Sequence, residues 1–252
     1  MYNLGEHFSI DLNKIKPDPL CVITGDKYRF TVLTERLIRL EFNNEGKFND
    51  LPTMLVSNRN FKKPIFDFKE NTTYLEIITS YFKLIYNKGK NYKNAKNFRV
   101  ELLNTDRYWN YGHVEARNYS APLRIENGKI INTKSLYSND GFASIVDDTK
   151  LMGENGIPLD SDARVDIYLF MYNNDFLLCL KDYFNLTGYP ALIPRFALGN
   201  WWSRNNDYND STLKELIDNF KKYEIPISIV LLDKDWHVRT YEGKNHLKTG
   251  FT

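Results

Sequence analysis

Two periodicities divide this chain. From Tyr28 to Phe42 apolar and polar positions alternate, first at Tyr28, Phe30 and Val32, then at Ile38, Leu40 and Phe42. A period of two is the period of a strand. Thr73–Tyr86 is dense in β-branched and aromatic residues, Phe98–Leu103 alternates again, and Phe142–Val146 and Val165–Tyr172 follow. Gly, Asn, Asp and Pro punctuate these runs. Many short strands and almost no helical period up to about residue 170 predict a β-sandwich. No internal repeat of fixed period is present.

The pattern then changes. Asp175–Gly188 places Phe176, Leu177, Leu180, Tyr183 and Phe184 on one helical face, with Gly188 and Pro190 as stop signals. Tyr189–Phe196 holds two prolines and reads as a linker. Ala197–Trp202 predicts a strand, RNNDYND a polar loop, and STLKELIDNFKKYEIP a helix with Leu213, Leu216, Ile217 and Phe220 on one face. Asn209, Asp210, Ser211 and Thr212 all offer caps, and Thr212 with Glu215 fits a capping box. After Pro226, Ile227–Leu232 predicts a second strand, apolar on both faces and buried from Ser228 to Leu232. Strand–helix–strand predicts a βαβ unit with parallel strands. The loops Arg204–Tyr208 and Asp233–His237 then follow the two strands and open on one rim, where ligands meet such folds.

Composition excludes several partners. The 34 basic and 32 acidic residues leave a net charge of +2, too balanced to recruit nucleic acid or an anionic membrane. The locally basic stretch Tyr86–Arg99 reads as a solvated hairpin loop. No run of about 18 apolar residues predicts a membrane span, and the N-terminus lacks a signal-peptide pattern. Cys21 and Cys179 are far apart, with no CxxC and no metal-ligand spacing, which suits a reducing, cytoplasmic setting and implies no metal. Aromatics reach 15%, with 17 Tyr and 16 Phe, which suits broad sheets or surfaces on which sugars stack.

PRFALGNWWSRNNDY, IPISIVLLDKDWH and KTGFT together resemble glycoside hydrolase family 31, the α-glucosidase/α-xylosidase family. SLYSNDGFASIVDD (Ser135–Asp148) and the run from VDIYLFMY through ALIPRFALG are similar to its passage from sandwich into barrel. The resemblance implies a galactose-mutarotase-like β-sandwich, over residues 1–190 with the linking helix, then the first βαβ unit of a (β/α)8 TIM barrel over 191–252. It implies retaining hydrolysis of α-glucosides or α-xylosides through an Asp nucleophile and an Asp acid/base, both on later barrel strands, and no cofactor. A TIM barrel takes about 250 residues, and only about 56 follow Phe196 here. The motifs for the catalytic pair are absent, so the chain reads as the N-terminal part of such an enzyme, inactive alone and prone to aggregate through exposed strand edges. Its expected partner is an α-linked oligosaccharide or glycoside, and a homo-oligomer of the whole enzyme stays open.

Asp233 and Asp235 invite assignment as the catalytic pair. A retaining glycosidase holds its carboxyls about 5–5.5 Å apart, on opposite sides of the bond. Residues two apart on an extended segment lie roughly 6–7 Å apart and point the same way, so the assignment fails. By resemblance Asp233 instead accepts hydrogen bonds from a hydroxyl of the terminal sugar; a structural role is the alternative. Asp235 and Trp236 join it as candidate substrate-binding residues, Trp236 as a subsite wall or a packed rim residue. Lys234 stands where the family often has an apolar residue, which puts substrate preference in doubt, and His237 reads as a loop histidine. Arg204 is a candidate to brace a carboxylate as a bidentate partner, Tyr208 to reach the subsite, and Asp140 to approach the active-site mouth. Trp201 and Trp202 read as barrel packing. Two rivals remain: a non-catalytic carbohydrate-binding sandwich, and a mutarotase using His113 beside Glu115.

Overall fold

A computed structural model describes residues 9–114, 124–126, 129–131, 136–159 and 164–232. It divides into two compact units, Met1–Tyr189 and Pro190–Thr252.

The first unit opens with one helical turn, α1 (Leu12–Ile15). Its strands are β1 (Val22–Thr24), β2 (Tyr28–Val32), β3 (Leu37–Phe42), β4 (Asp67–Glu70), β5 (Tyr74–Ile78), β6 (Phe82–Asn87), β7 (Phe98–Leu102), β8 (Tyr108–Trp109), β9 (Arg124–Glu126), β10 (Lys129–Ile131), β11 (Phe142–Val146) and β12 (Val165–Met171), followed by helix α2 (Phe176–Thr187). Strands β1-β2-β3-β12-β11 form one antiparallel sheet and β4-β5-β6-β7-β8 a second. Among the described residues, β9 and β10 form a separate two-stranded pair.

The two five-stranded sheets pack face to face. The alternating positions Tyr28, Phe30, Val32, Ile38, Leu40 and Phe42 join Leu75, Phe82, Leu84, Tyr86, Phe98 and Trp109 in one buried cluster. Phe30 stacks on Phe98 at 5.6 Å. This is the sandwich that the alternation predicts. The basic stretch after β6 is the loop of the β6–β7 hairpin, and most of it is exposed.

The outer face of the first sheet departs from the pattern. Alternation predicts that Arg29, Thr31, Arg39 and Glu41 face water, yet β2 and β3 are buried at every position. α2 covers one part of this face, where Leu37, Tyr168, Phe170, Cys179 and Leu186 cluster. The rest is ionic. Arg29 grips Glu41 through two bonds of 2.6 and 2.9 Å, and Arg39 grips Asp166 through two of 2.8 and 2.6 Å. Both guanidiniums reach the Asn49 carbonyl at 3.0 and 3.1 Å, and both pair with Asp50. Arg59 donates to the Tyr168 hydroxyl at 2.6 Å and to the Leu51 carbonyl at 3.0 Å. Glu41 and Asp166 sit directly opposite one another across β3 and β12. Like charges so placed repel, and the two arginines offset that repulsion.

Helix α2 also differs from its predicted face. Leu177 is 82% exposed, and the buried positions are Cys179, Asp182 and Leu186. The helix is turned by a polar anchor: Asp182 accepts from Thr34 at 2.9 Å and pairs with Arg36 at 3.1 Å. Burial pushes the Asp182 carboxyl above its ordinary range, against the pull of Arg36 and Thr34. Burial likewise raises the thiol of Cys179, which, like Cys21, is free.

In the second unit a short 3-10 turn occupies Arg195–Leu198, and the strand predicted over Ala197–Trp202 is only β13 (Trp201–Ser203). Helix α3 (Asp210–Lys222) is capped by Asn209, whose capping-box partner is Thr212 rather than a Thr212–Glu215 pair. A side chain at the cap itself lies nearest the unpaired N–H groups of the first turn. Leu213, Leu216, Ile217 and Phe220 are its half-buried face, as the period predicts. The second strand is β14 (Ile229–Leu231), half-buried rather than buried, with Leu231 and Leu232 each 42% exposed.

Removing one partner of a buried ion pair strands the other, at about 3–5 kcal/mol. Arg39→Met is expected to destabilise the sandwich by that amount in urea unfolding followed by amide exchange at β3 and β12. Lys47→Ala, at an exposed pair with Glu45, is expected to leave the midpoint in place; equal effects of the two changes would contradict the ionic core. The raised Asp182 carboxyl disfavours folding once ionised, and this penalty is relieved as pH falls through its folded pKa. The stability of the wild type relative to Asp182→Asn is therefore expected to rise on acidification. A pH-independent difference would contradict it.

Candidate functional site

β13 and β14 run parallel, with Trp201, Trp202 and Ser203 opposite Ile229, Val230 and Leu231. Asn200 fixes this register. Its carbonyl accepts from Ser228 and Ile229 at 2.9 and 3.3 Å, and its side chain donates to the Pro226 carbonyl at 2.9 Å. Gly199 permits the approach: a Cβ there would fall 1.9 Å from Ser228 Oγ and 2.7 Å from Ser228 Cβ. The adjacent tryptophans point opposite ways, as strand neighbours do. Trp202 packs edge-on against Phe220 of α3 at 5.1 Å. Trp201 stays half exposed, its indole N–H donating to the Ala197 carbonyl at 2.9 Å.

Because the strands are parallel and in register, Ser203 and Leu231 end them at one edge. Arg204 and Tyr208 lie in the loop after β13, the first exposed and the second half-buried. In sequence, Asp233, Asp235 and Trp236 come just after β14; these three, with Lys234 and His237, lie outside the described residues. So does any carboxylate that Arg204 would brace among them.

Asp140 belongs to the first unit and sits in a built turn before β11. The Asp140 backbone N–H donates to Ser138 Oγ at 3.2 Å, and the Ser138 hydroxyl in turn donates to the Phe142 carbonyl. Gly141 has φ +78°, and its carbonyl accepts from Tyr172 and Asn173 at 3.0 and 2.7 Å. A Cβ on Gly141 would lie 3.0 Å from Asn173 Cα, which is why glycine follows Asp140. The Asp140 carboxylate lies 3.2 Å from His113 Nε2, and the His113 ring stands edge-on to Phe142 at 5.1 Å. The sequence pairs His113 with Glu115, which lies outside the described residues; the observed partner is 27 residues away in sequence, beyond any local signal. A carboxylate oriented by an imidazole can accept a hydroxyl proton or hold a polar ligand. Among the described residues no group of three His, Cys, Asp or Glu could hold a metal, and no helix is long and apolar enough to cross a membrane.

A β-sandwich leading to a parallel βαβ unit is the fold class. Comparison with known proteins points to a family. Residues 190–251 match the model of the glycosyl hydrolases family 31 TIM-barrel domain. An isomaltosyltransferase of Sporosarcina globispora is 27% identical over 58% of this chain, which covers 13% of the relative. Alpha-xylosidase 1 of Arabidopsis thaliana is 24% identical over 89% of the chain and 24% of the relative. Among solved structures, a family 31 dextranase of Flavobacterium johnsoniae complexed with isomaltotriose superposes with a TM-score of 0.55 at 17% identity, over 84% of this chain and 32% of that one. The barrel-domain match and the curated relatives together support a member of glycoside hydrolase family 31. The chain spans less than a quarter of the length of the isomaltosyltransferase and about a quarter of the xylosidase.

Gly199→Ala is expected to break the β13–β14 register, read as fast amide exchange at Ser228 and Ile229. Adding Ser228→Gly removes both clashing atoms and is expected to restore protection. No effect of Gly199→Ala would contradict the close approach.

Proposed function

We propose that this chain is the N-terminal portion of a retaining α-glycosidase acting on α-glucosides or α-xylosides, with a β-sandwich ahead of the first βαβ unit of its catalytic barrel. The observation that carries the proposal is the parallel β13–β14 pair within residues matched by the family's barrel model. Barrel enzymes build their sites on the loops after the strands, and here those loops contain Arg204 and Tyr208 and, further on, Asp233, Asp235 and Trp236.

In this reading Asp233 holds a hydroxyl of the terminal sugar, two charge-assisted bonds fixing the ring for attack. Trp236 lies against the apolar face of the sugar. Asp235, Arg204 and Tyr208 complete the subsite. Nucleophile and acid/base come from later barrel strands, in the part of the relatives that this chain does not span. The isomaltosyltransferase and xylosidase relatives support an α-linked substrate.

The 252-residue chain is expected to show no turnover of p-nitrophenyl α-glucoside or α-xyloside; hydrolysis by it would overturn the placement of the catalytic pair. In a protein carrying the whole barrel, Asp233→Ala is expected to lower kcat/KM about a hundredfold or more. An unchanged kcat/KM would remove Asp233 from the subsite.

A further inference from the structure

β4 (Asp67–Glu70) is the rim of the second sheet. It pairs with β5 and, among the described residues, with no other strand. All four of its residues are exposed. The Asn71 N–H donates to the Tyr74 carbonyl at 2.9 Å, which fixes the alternation of the β4–β5 ladder. Bonded pairs in an antiparallel ladder recur at every second residue. Asp67 and Lys69 therefore turn their backbone groups inward, to Ile78 and Glu76 of β5. Phe68 and Glu70 turn theirs outward, to the free edge.

An open edge is a template for another strand, and proteins commonly guard it with charge or proline. The charges on this edge complement themselves. Asp67 and Lys69 share one face of the strand, and Phe68 between them lies on the other. Phe68 stands opposite Ile77, a fully buried core residue, yet is itself 52% exposed, and Ile65 just before the strand is 81% exposed. The apolar layer of the sandwich therefore runs out to the rim and is left unfinished there. On the other face, Glu76 stands opposite Lys69 but is held by Lys83 at 2.9 Å.

We propose that β4 pairs antiparallel with β4 of a second copy of this chain, about a two-fold axis at Phe68. This axis sets Phe68 against its own counterpart, so that their outward N–H and C=O groups exchange two bonds and their rings lie side by side. It sets Asp67 of each copy against Lys69 of the other, in the closer, non-bonded kind of pair where cross-strand side chains meet. Within the strand no other axis works. At Asp67, Lys69 or Glu70 it sets a charge against itself. Between two residues it brings an outward-facing backbone against one turned inward, and no ladder forms. This self-complementarity selects a second copy rather than an unrelated strand. The contact is short, so the dimer is weak, and it joins two five-stranded sheets into one of ten. The inference does not rest on the glycosidase reading.

The test is sedimentation equilibrium of the 252-residue chain at concentrations up to about 1 mM, with amide exchange at Phe68 and Glu70. A reversible monomer–dimer equilibrium is expected, and these two outward amides are expected to exchange more slowly as concentration rises. Asp67→Lys and Lys69→Glu each turn both attractive pairs repulsive, and each is expected to weaken the dimer about tenfold. The double reversal, Asp67→Lys with Lys69→Glu, restores the complement and is expected to recover the dimer. Phe68→Pro removes an outward N–H without touching the β4–β5 ladder. It is expected to abolish the dimer while the β5 and β6 amides keep their protection. A chain that stays monomeric, or self-association that leaves the Phe68 and Glu70 amides unprotected, would overturn the proposal. So would silent single reversals, or a double reversal no better than the singles.

Discussion

The sandwich depends on a set of charges largely withdrawn from water. Glu41 and Asp166 face each other across two central strands, and the arrangement holds only because Arg29 and Arg39 interleave with them. Those arginines also fasten the coil at Asn49 and Asp50 by its carbonyl and side chain. An irregular segment has no ladder to satisfy its backbone, so it takes its donors from side chains. The ionic face therefore does two jobs: it neutralises the strands and holds down the cover that keeps them dry. Hydrophobic burial alone would not select this coil path, because apolar contacts lack direction.

The same logic of polar anchors recurs at smaller scale. Asp182 rotates α2 so that Leu177, not Asp182, faces outward. Asn200 sets the β13–β14 register through three bonds. Asp140 is presented by a turn that a glycine closes. In each case the packing is generic and a single short side chain chooses among packings.

Much of the architecture was legible in the sequence, and the misses share one cause. Alternation located β2, β3 and β7, strand-forming composition located β5, β6, β11 and β12, and the helical period located the half-buried stripe of α3. What alternation could not say is whether a polar stripe faces water or a cover. Arg29 and Arg39 look like surface residues until Asn49–Arg59 folds over them. The α2 face was misjudged for the same reason: an apolar count favours Leu177, while the partner of Asp182 lies 148 residues earlier at Thr34. On the site side, the motif supplied Arg204 and Tyr208 with their loop, and Asp140 with its turn. The His113 contact of Asp140 spans two elements and leaves no spacing to read.

The pairing of β3 with β12 also has a cost in time. Arg39 and Asp166 are 127 residues apart. A ribosome adding about 5–20 residues per second needs roughly 6–25 seconds to deliver β12 once β3 has emerged. Through that interval β3 has β2 on one side and an open edge on the other, the kind of edge that invites pairing with another chain. Arg39 and Glu41, costly to bury later, are what such an edge needs while it waits: charges that discourage a stranger from taking the place of β12.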